Sequence, residues 1–262
     1  MSLNRSDQIP RGTLGKFVER FWLYDSVVSA HAQEKILPTA TTELVLDLGG
    51  GLANSSAALV IGPHSEHWVL DTSRAAAVIG VHFRPGGAFP FFGVPADELH
   101  NVRVPLDALW GLNAASLVDQ VLAQSSPAVR FEVLESVLLK AARTLARHPA
   151  VGFALRKLSV PFRQHRITHV AGAVGMSQRR FLERFRGEVG MAPKVFARVK
   201  RFQAVVETAE NQREVNWAHV ASDCGYFDQA HFVHDFRAFS GFTPNQYLAL
   251  KGAHLNHVPV AR

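Results

Sequence analysis

Along the first hundred residues the apolar positions come in short runs broken by glycine and proline. Lys35-Ile36-Leu37-Pro38, residues 42–48, 58–62 and 67–71, and Ala75-Ala76-Ala77-Val78-Ile79-Gly80-Val81-His82-Phe83 each predict a strand. Pro38, Gly49-Gly50-Gly51 and Arg84-Pro85-Gly86-Gly87 break or turn the chain between and after them. Residues 14–24 mix the two periods and predict a helix entering a strand. Short β-rich runs at this spacing point to a small sandwich or barrel. From residue 96 the period changes. Residues 106–110, 115–124 and 127–147 predict helices, the last with Val129, Val133, Val137 and Lys140 at helical spacing beside Leu134, Leu138 and Leu145. An apolar-striped helix leaving a β domain serves as core or as a dimer seam.

The C-terminal third repeats itself. Val170, Gly175, Ser177, Phe181, Phe185, Gly190 and Pro193 return as Val220, Gly225, Asp228, Phe232, Phe236, Gly241 and Pro244. The offset is 50 residues up to the glycine and 51 after it, so the second turn holds one extra residue. A repeat of this kind is one supersecondary unit used twice. Each copy predicts a short helix closed by glycine, a capping Ser177 or Asp228, and a second helix with one apolar stripe. The opposite face of that second helix is polar and basic. In the first copy Gln178, Arg179, Arg180, Glu183 and Gly187 turn outward with Arg184 and Arg186 at the flanks. In the second, Gln229, Ala230, His231, His234 and Asp235 do so with Arg237 at the edge. A helix with such a face suits the major groove of DNA. Residues 194–211 predict a connecting helix of about 27 Å at ~1.5 Å per residue. It carries Lys200 and Arg201 as further candidate phosphate contacts. Residues 252–262 predict a frayed tail.

Charge divides as this organisation requires. Residues 151–262 carry a net +8 and residues 1–150 a net −2, within a total of +6. Basicity therefore sits with the repeat, where phosphates would be met. The single cysteine, Cys224, excludes an intramolecular disulfide, and its apolar setting predicts a packed thiol. No apolar run reaches 18 residues and the start lacks a signal-peptide core, which predicts a cytoplasmic protein. The join between the halves is expected in 148–166, which holds Arg163-Gln164-His165-Arg166, with 151–158 as a helix of the second half.

The fold class expected is therefore an α+β N-terminal domain over 1–150, a small β barrel or sandwich followed by helices. An all-α domain over 151–262 follows, with helix-turn-helix units at about 167–190 and 216–241 joined by a long helix. Gly225-Tyr226-Phe227-Asp228-Gln229-Ala230-His231-Phe232, Asp235-Phe236 and Gly241-Phe242-Thr243-Pro244-Asn245-Gln246-Tyr247 resemble the paired helix-turn-helix domain of AraC/XylS-type transcription regulators. His234 departs from the Arg that members often carry there, which puts the base preference of that half in question. Residues 37–44, Gly80-Val81-His82-Phe83-Arg84-Pro85-Gly86-Gly87 and residues 104–111 resemble the uncharacterised sensor half of one branch of that family.

The resemblance implies a sequence-specific DNA-binding regulator, not an enzyme, with double-stranded DNA as partner and no cofactor. A small-molecule effector, RNA polymerase and a second copy of the chain are further candidate partners. Trp22, Glu43, His82 and Arg84 are the residues of the β region that could line an effector pocket. The competing reading is a metal-dependent, cupin-like enzyme or sensor fused to a DNA-binding domain, with His64, His67 and His82 converging on a metal. Those histidines lack the close His-x-His plus Glu spacing such barrels use. A DNA-repair role would need a methyl-accepting cysteine, for which Cys224 is misplaced, and a purely architectural DNA binder would have no need of some 150 folded N-terminal residues.

Overall fold

The structure is a computed structural model, and it describes residues 4–27, 31–49, 56–74, 76–160, 166–210, 212–252 and 254–260. The N-terminal half holds β1 (Asn4–Gln8), β2 (Val18–Val27), β3 (Gln33–Ile36), β4 (Glu43–Asp47), β5 (Ala58–Ile61), β6 (Trp68–Asp71), β7 (Ala76–Phe83) and β8 (Arg103–Pro105). Helices α1 (Phe89–Phe92), α2 (Leu106–Trp110), α3 (Leu112–Leu122) and α4 (Pro127–Ala141) belong with them. The mixed stretch 14–24 resolves into a 3-10 turn over Leu14–Lys16 followed by β2.

An antiparallel sheet runs in the order β1-β2-β7-β4-β5-β8. Strand alternation sorts its faces. Phe21, Leu23, Leu44, Leu46, Val60, Ile79 and Val81 are buried on one face against Phe91, Leu117, Val121, Phe131, Leu134 and Leu138 of the helices. At about 1.5–3 kcal/mol per fully buried large side chain, this layer dominates the stability of the half. The other face carries Arg20, Trp22, Tyr24, Gly80, His82 and Glu43. Trp22 pairs with Gly80, where any Cβ would overlap the indole ring, so only glycine lets this tryptophan lie flat on the sheet. Helix α4 stops at Ala141, short of the expected 147. Ala142 is extended, and the Arg143 amide bonds to Pro90 O rather than continuing the helix.

The C-terminal half contains α5 (Pro149–Leu158), α6 (Ile167–Ala173), α7 (Gln178–Val189), α8 (Pro193–Glu210), α9 (Trp217–Asp223), α10 (Gln229–Ser240) and α11 (Pro244–Leu250). Helix α8 is its spine. Phe196, Val199, Phe202, Val205 and Val206 are fully buried, with Phe181 and Phe185 packed at one end and Phe232 and Phe236 at the other. The basic run at 163–165 lies outside the described residues.

Residues 254–260 of the expected tail are not frayed. Strand β9 (His257–Pro259) pairs antiparallel with β3, which also pairs with β6. Val258 is fully buried in the helical core, together with Leu37 and Ala40 from the N-terminal half. Further bonds tie the halves. Gln203 Nε2 donates to Pro38 O at 2.7 Å and to Asn256 Oδ1 at 2.8 Å, His67 Nδ1 donates to Phe239 O at 3.2 Å, and Lys35 Nζ stands 4.2 Å over the Phe242 ring.

Candidate nucleic-acid interface

The two repeat copies are built alike. Helix α6 ends in a turn through Gly175 at φ +66, and α9 in a turn through Gly225 at φ +75, a left-handed conformation that glycine adopts without steric cost. Ser177 Oγ then accepts from the Arg180 amide at 3.4 Å, and Asp228 Oδ1 from the His231 amide at 2.7 Å. Each cap satisfies a donor that the first turn of a helix leaves open. Gly190 and Gly241, both left-handed, terminate α7 and α10.

The outer faces differ in chemistry. On α7, Gln178, Arg179, Arg180, Glu183, Arg184 and Arg186 are all exposed. Arg179 Nε donates to Glu183 Oε1 at 2.9 Å across one helical turn, in solvent, so the pair can exchange for contacts to a ligand. On α10, Gln229, Ala230, His234 and Arg237 are exposed, and His231 is half-buried with its ring edge against Tyr226.

Asp235 corrects the sequence expectation. It is 2% exposed, not outward, and forms a two-point pair with Arg198 of α8, with His231 Nε2 at 3.6 Å and His234 Nδ1 at 3.8 Å. It stands three residues after Phe232 and four before Phe239, on the apolar side of the helix, and its burial is compensated by an arginine from another element. Arg201 stacks 5.1 Å over the Tyr226 ring and Lys200 is half-buried, so these two α8 cations lie closer to the core than Arg184, Arg186 and Arg237. Phe227, 88% exposed directly before the Asp228 cap, is an addition. An aromatic among Tyr226, Phe232 and Phe236 reads as core, and only the extra residue in the second turn signalled that it would project.

The candidate effector residues separate. Trp22, Glu43 and His82 share the polar face of the large sheet, where His82 Nδ1 meets Glu43 Oε1 at 2.7 Å. Burial pushes the Glu43 carboxyl up, but His82 and its neighbours outweigh this and hold it below the usual range. Arg84 is past the end of β7 and donates to Gly15 O at 2.9 Å. His64 donates to Gly62 O at 2.6 Å and His67 to Phe239 O. Among the described residues no three His, Cys, Asp or Glu side chains are grouped to hold a metal ion. Burial pushes the Cys224 thiol up to about 11, far from a reactive thiolate. No described helix is long and apolar enough to cross a membrane.

Comparison with known proteins fits this geometry. Residues 170–249 match a family described as a helix-turn-helix domain, and residues 7–105 match a domain of unknown function, DUF6597. No curated protein matches significantly. Among solved structures, ToxT from Vibrio cholerae is 13% identical over 96% of this chain and 99% of its own, with a TM-score of 0.45. The C-terminal domain of AraT, a response regulator from Geobacillus stearothermophilus, is 22% identical over 41% of this chain and 90% of its own, at 0.38. The DNA-binding domain of AdpA, solved with a target DNA, is 26% identical over 38% of this chain and 90% of its own, at 0.36. Residues 170–249 thus match a helix-turn-helix domain, behind a stretch that matches a domain of unknown function.

Proposed function

We propose that the protein is a sequence-specific DNA-binding transcription regulator of the cytoplasm whose N-terminal half modulates the DNA-binding half in response to a small molecule. The observation that carries the reading is the pair of matched, capped helices α7 and α10 on one buried strut, each with an exposed polar face near its N-terminus. Side chains there reach base edges, while Arg184, Arg186 and Arg237 meet phosphates. Modulation is supported by Leu37 and Ala40 in the helical core beside Val258 of β9, and by Lys35 and His67 against Phe242 and Phe239. Association of two copies through α3 and α4, and contact with RNA polymerase, belong to the same proposal. Leu112, Leu122, Val129 and Leu139 on those helices are exposed and fit a helix partner.

The test is binding to the promoter DNA of the protein's own operon across a salt series. Each neutralised phosphate releases counterion, so affinity falls steeply and log-linearly with salt. Arg186→Ala lowers the slope by about one and weakens all sequences alike. Binding that stays flat from low to moderate salt overturns the electrostatic account.

A further inference from the structure

A cleft of about 480 Å³ opens where the two halves meet. Lys16 and Phe17 come to it from the turn before β2, Arg147 and His148 from the segment leading into α5, and Gly152 and Arg156 from α5 itself. Three of these side chains are cations, and no residue lining the cleft is a carboxylate. Arg84 adds a fourth cation near enough to act on Arg147. The fold collects this charge from stretches more than a hundred residues apart, at the cost of mutual repulsion.

Arg147 is fixed in place but not satisfied. Its Nη2 donates to Pro85 O at 3.0 Å and its guanidinium lies 5.8 Å from the Phe17 ring centre, while its Nε is buried without a hydrogen-bond partner. Burial pulls its pKa down, with Glu188 opposing and Arg84 adding to the shift. Gly152 is a helix-interior glycine, a weaker helix former than alanine. A methyl there would stand 3.7 Å from both Arg147 Cδ and Arg156 Nη1, which is ordinary contact. Packing therefore does not demand glycine, and its presence keeps the wall between the two arginines open.

We propose that this cleft binds a small dianion, a phosphate or a dicarboxylate, and that occupancy is passed to the first reading helix. Lys16, Arg147 and Arg156 supply charge-assisted hydrogen bonds, and Phe17 supplies an apolar wall. The link is Glu188 in the last turn of α7. The His148 amide donates to its Oε2 at 3.3 Å, and Arg147 is a charge it feels. An anion that draws on Arg147 and His148 takes them from Glu188 and so alters how the end of α7 is held. The regulatory consequence rests on the DNA-binding reading, whereas the binding itself does not.

The experiment uses the full chain, with calorimetric titration of inorganic phosphate and, separately, succinate at fixed ionic strength without DNA. At least one is expected to bind saturably, and which one does so separates the two sources of the dianion. The double variant Lys16→Ala/Arg156→Ala, which removes two exposed side chains, is expected to weaken it about tenfold or more. Gly152→Leu fills the cleft and is expected to abolish binding, with unchanged circular dichroism as the folding control. No saturable binding of either anion, or equal binding by wild type and double variant, overturns the site. DNA affinity that does not respond to the bound anion overturns the coupling to α7. If the double variant only weakens all DNA sequences alike and binds anion like wild type, the cations serve the DNA backbone and the proposal falls. Loss of the DNA-binding reading looks different: wild type binds the anion but no DNA at any salt.

Discussion

Arg198 of the connecting helix donates to both oxygens of Asp235 on the second reading helix, Nη2 to Oδ1 at 2.7 Å and Nε to Oδ2 at 3.3 Å. The pair fixes how α10 is rotated on its strut, and so where Gln229, His231 and His234 point. Its two ends are unequal. The Asp235 side chain is 2% exposed and that of Arg198 is 35% exposed. Removing the arginine strands a carboxylate in the core, at about 3–5 kcal/mol. Removing the carboxylate leaves an arginine that water can reach, at about 1–3 kcal/mol. Arg198→Ala is thus expected to be more destabilising than Asp235→Ala in urea unfolding. Equal losses would mean that the pair is held mainly by its surroundings.

The same residue shows how far the sequence could be read. Spacing, caps and glycines made both helix-turn-helix units legible, because each signal is local and occurs twice. Asp235 was misplaced because its type argues for solvent while its position argues for the core, and the arginine that decides the matter is 37 positions away. The strands at 43–47, 58–61, 68–71 and 76–83 announced themselves by apolar runs. Strand β9 did not, being three residues with a proline, stabilised by an edge more than 200 residues earlier in the chain. The cleft at Lys16, Arg147 and Arg156 was illegible for the same reason, since no local pattern marks side chains that only tertiary contact brings together.

Strand β9 gives a second prediction. Val258 is fully buried in the helical core and Lys35 is its partner in the ladder. Val258→Ala leaves a cavity there and is expected to cost about 1–3 kcal/mol. Deleting residues 254–262 removes the acceptor of the Leu37 amide, Asn256 O at 2.9 Å. Hydrogen exchange at Leu37 is expected to be slow in the full chain and fast after the deletion. Unchanged protection at Leu37 would show that β9 does not hold β3 in solution.

Glu188 predicts a pH dependence. Burial pushes its carboxyl above the usual range, against the opposing His148 amide and the charges of Arg184, His148 and Arg147. A carboxyl whose pKa is raised by folding contributes most to stability below its unfolded value, near pH 4. That contribution is lost as pH rises through the raised folded value. Glu188→Gln keeps the shape and removes the ionisation. Its melting temperature is therefore expected to exceed that of wild type at neutral pH, with the gap closing toward pH 4. A gap that is constant with pH would assign the effect to packing instead of ionisation.

Base reading gives the sharpest expectation. Arg179, Arg180 and Glu183 stand exposed near the start of α7, and Gln229 and His234 near the start of α10 with His231 and Phe227 beside them. Arginine suits guanine, glutamine suits adenine, a glutamate can accept from cytosine, and an aromatic ring can contact the thymine methyl. With α8 about 27 Å long at ~1.5 Å per residue, close to one turn of duplex at ~34 Å, the two footprints are expected to centre ~10 base pairs apart. Arg179→Ala should then relax preference in one sub-site, and Gln229→Ala, His231→Ala or Phe227→Ala in the other, each weakening the best sequence about tenfold. Arg186→Ala is the control that weakens every sequence alike. A randomised-operator selection on each variant reads this directly. If Arg179→Ala and His231→Ala change the same base pairs, or change none, α7 and α10 do not act as separate readers.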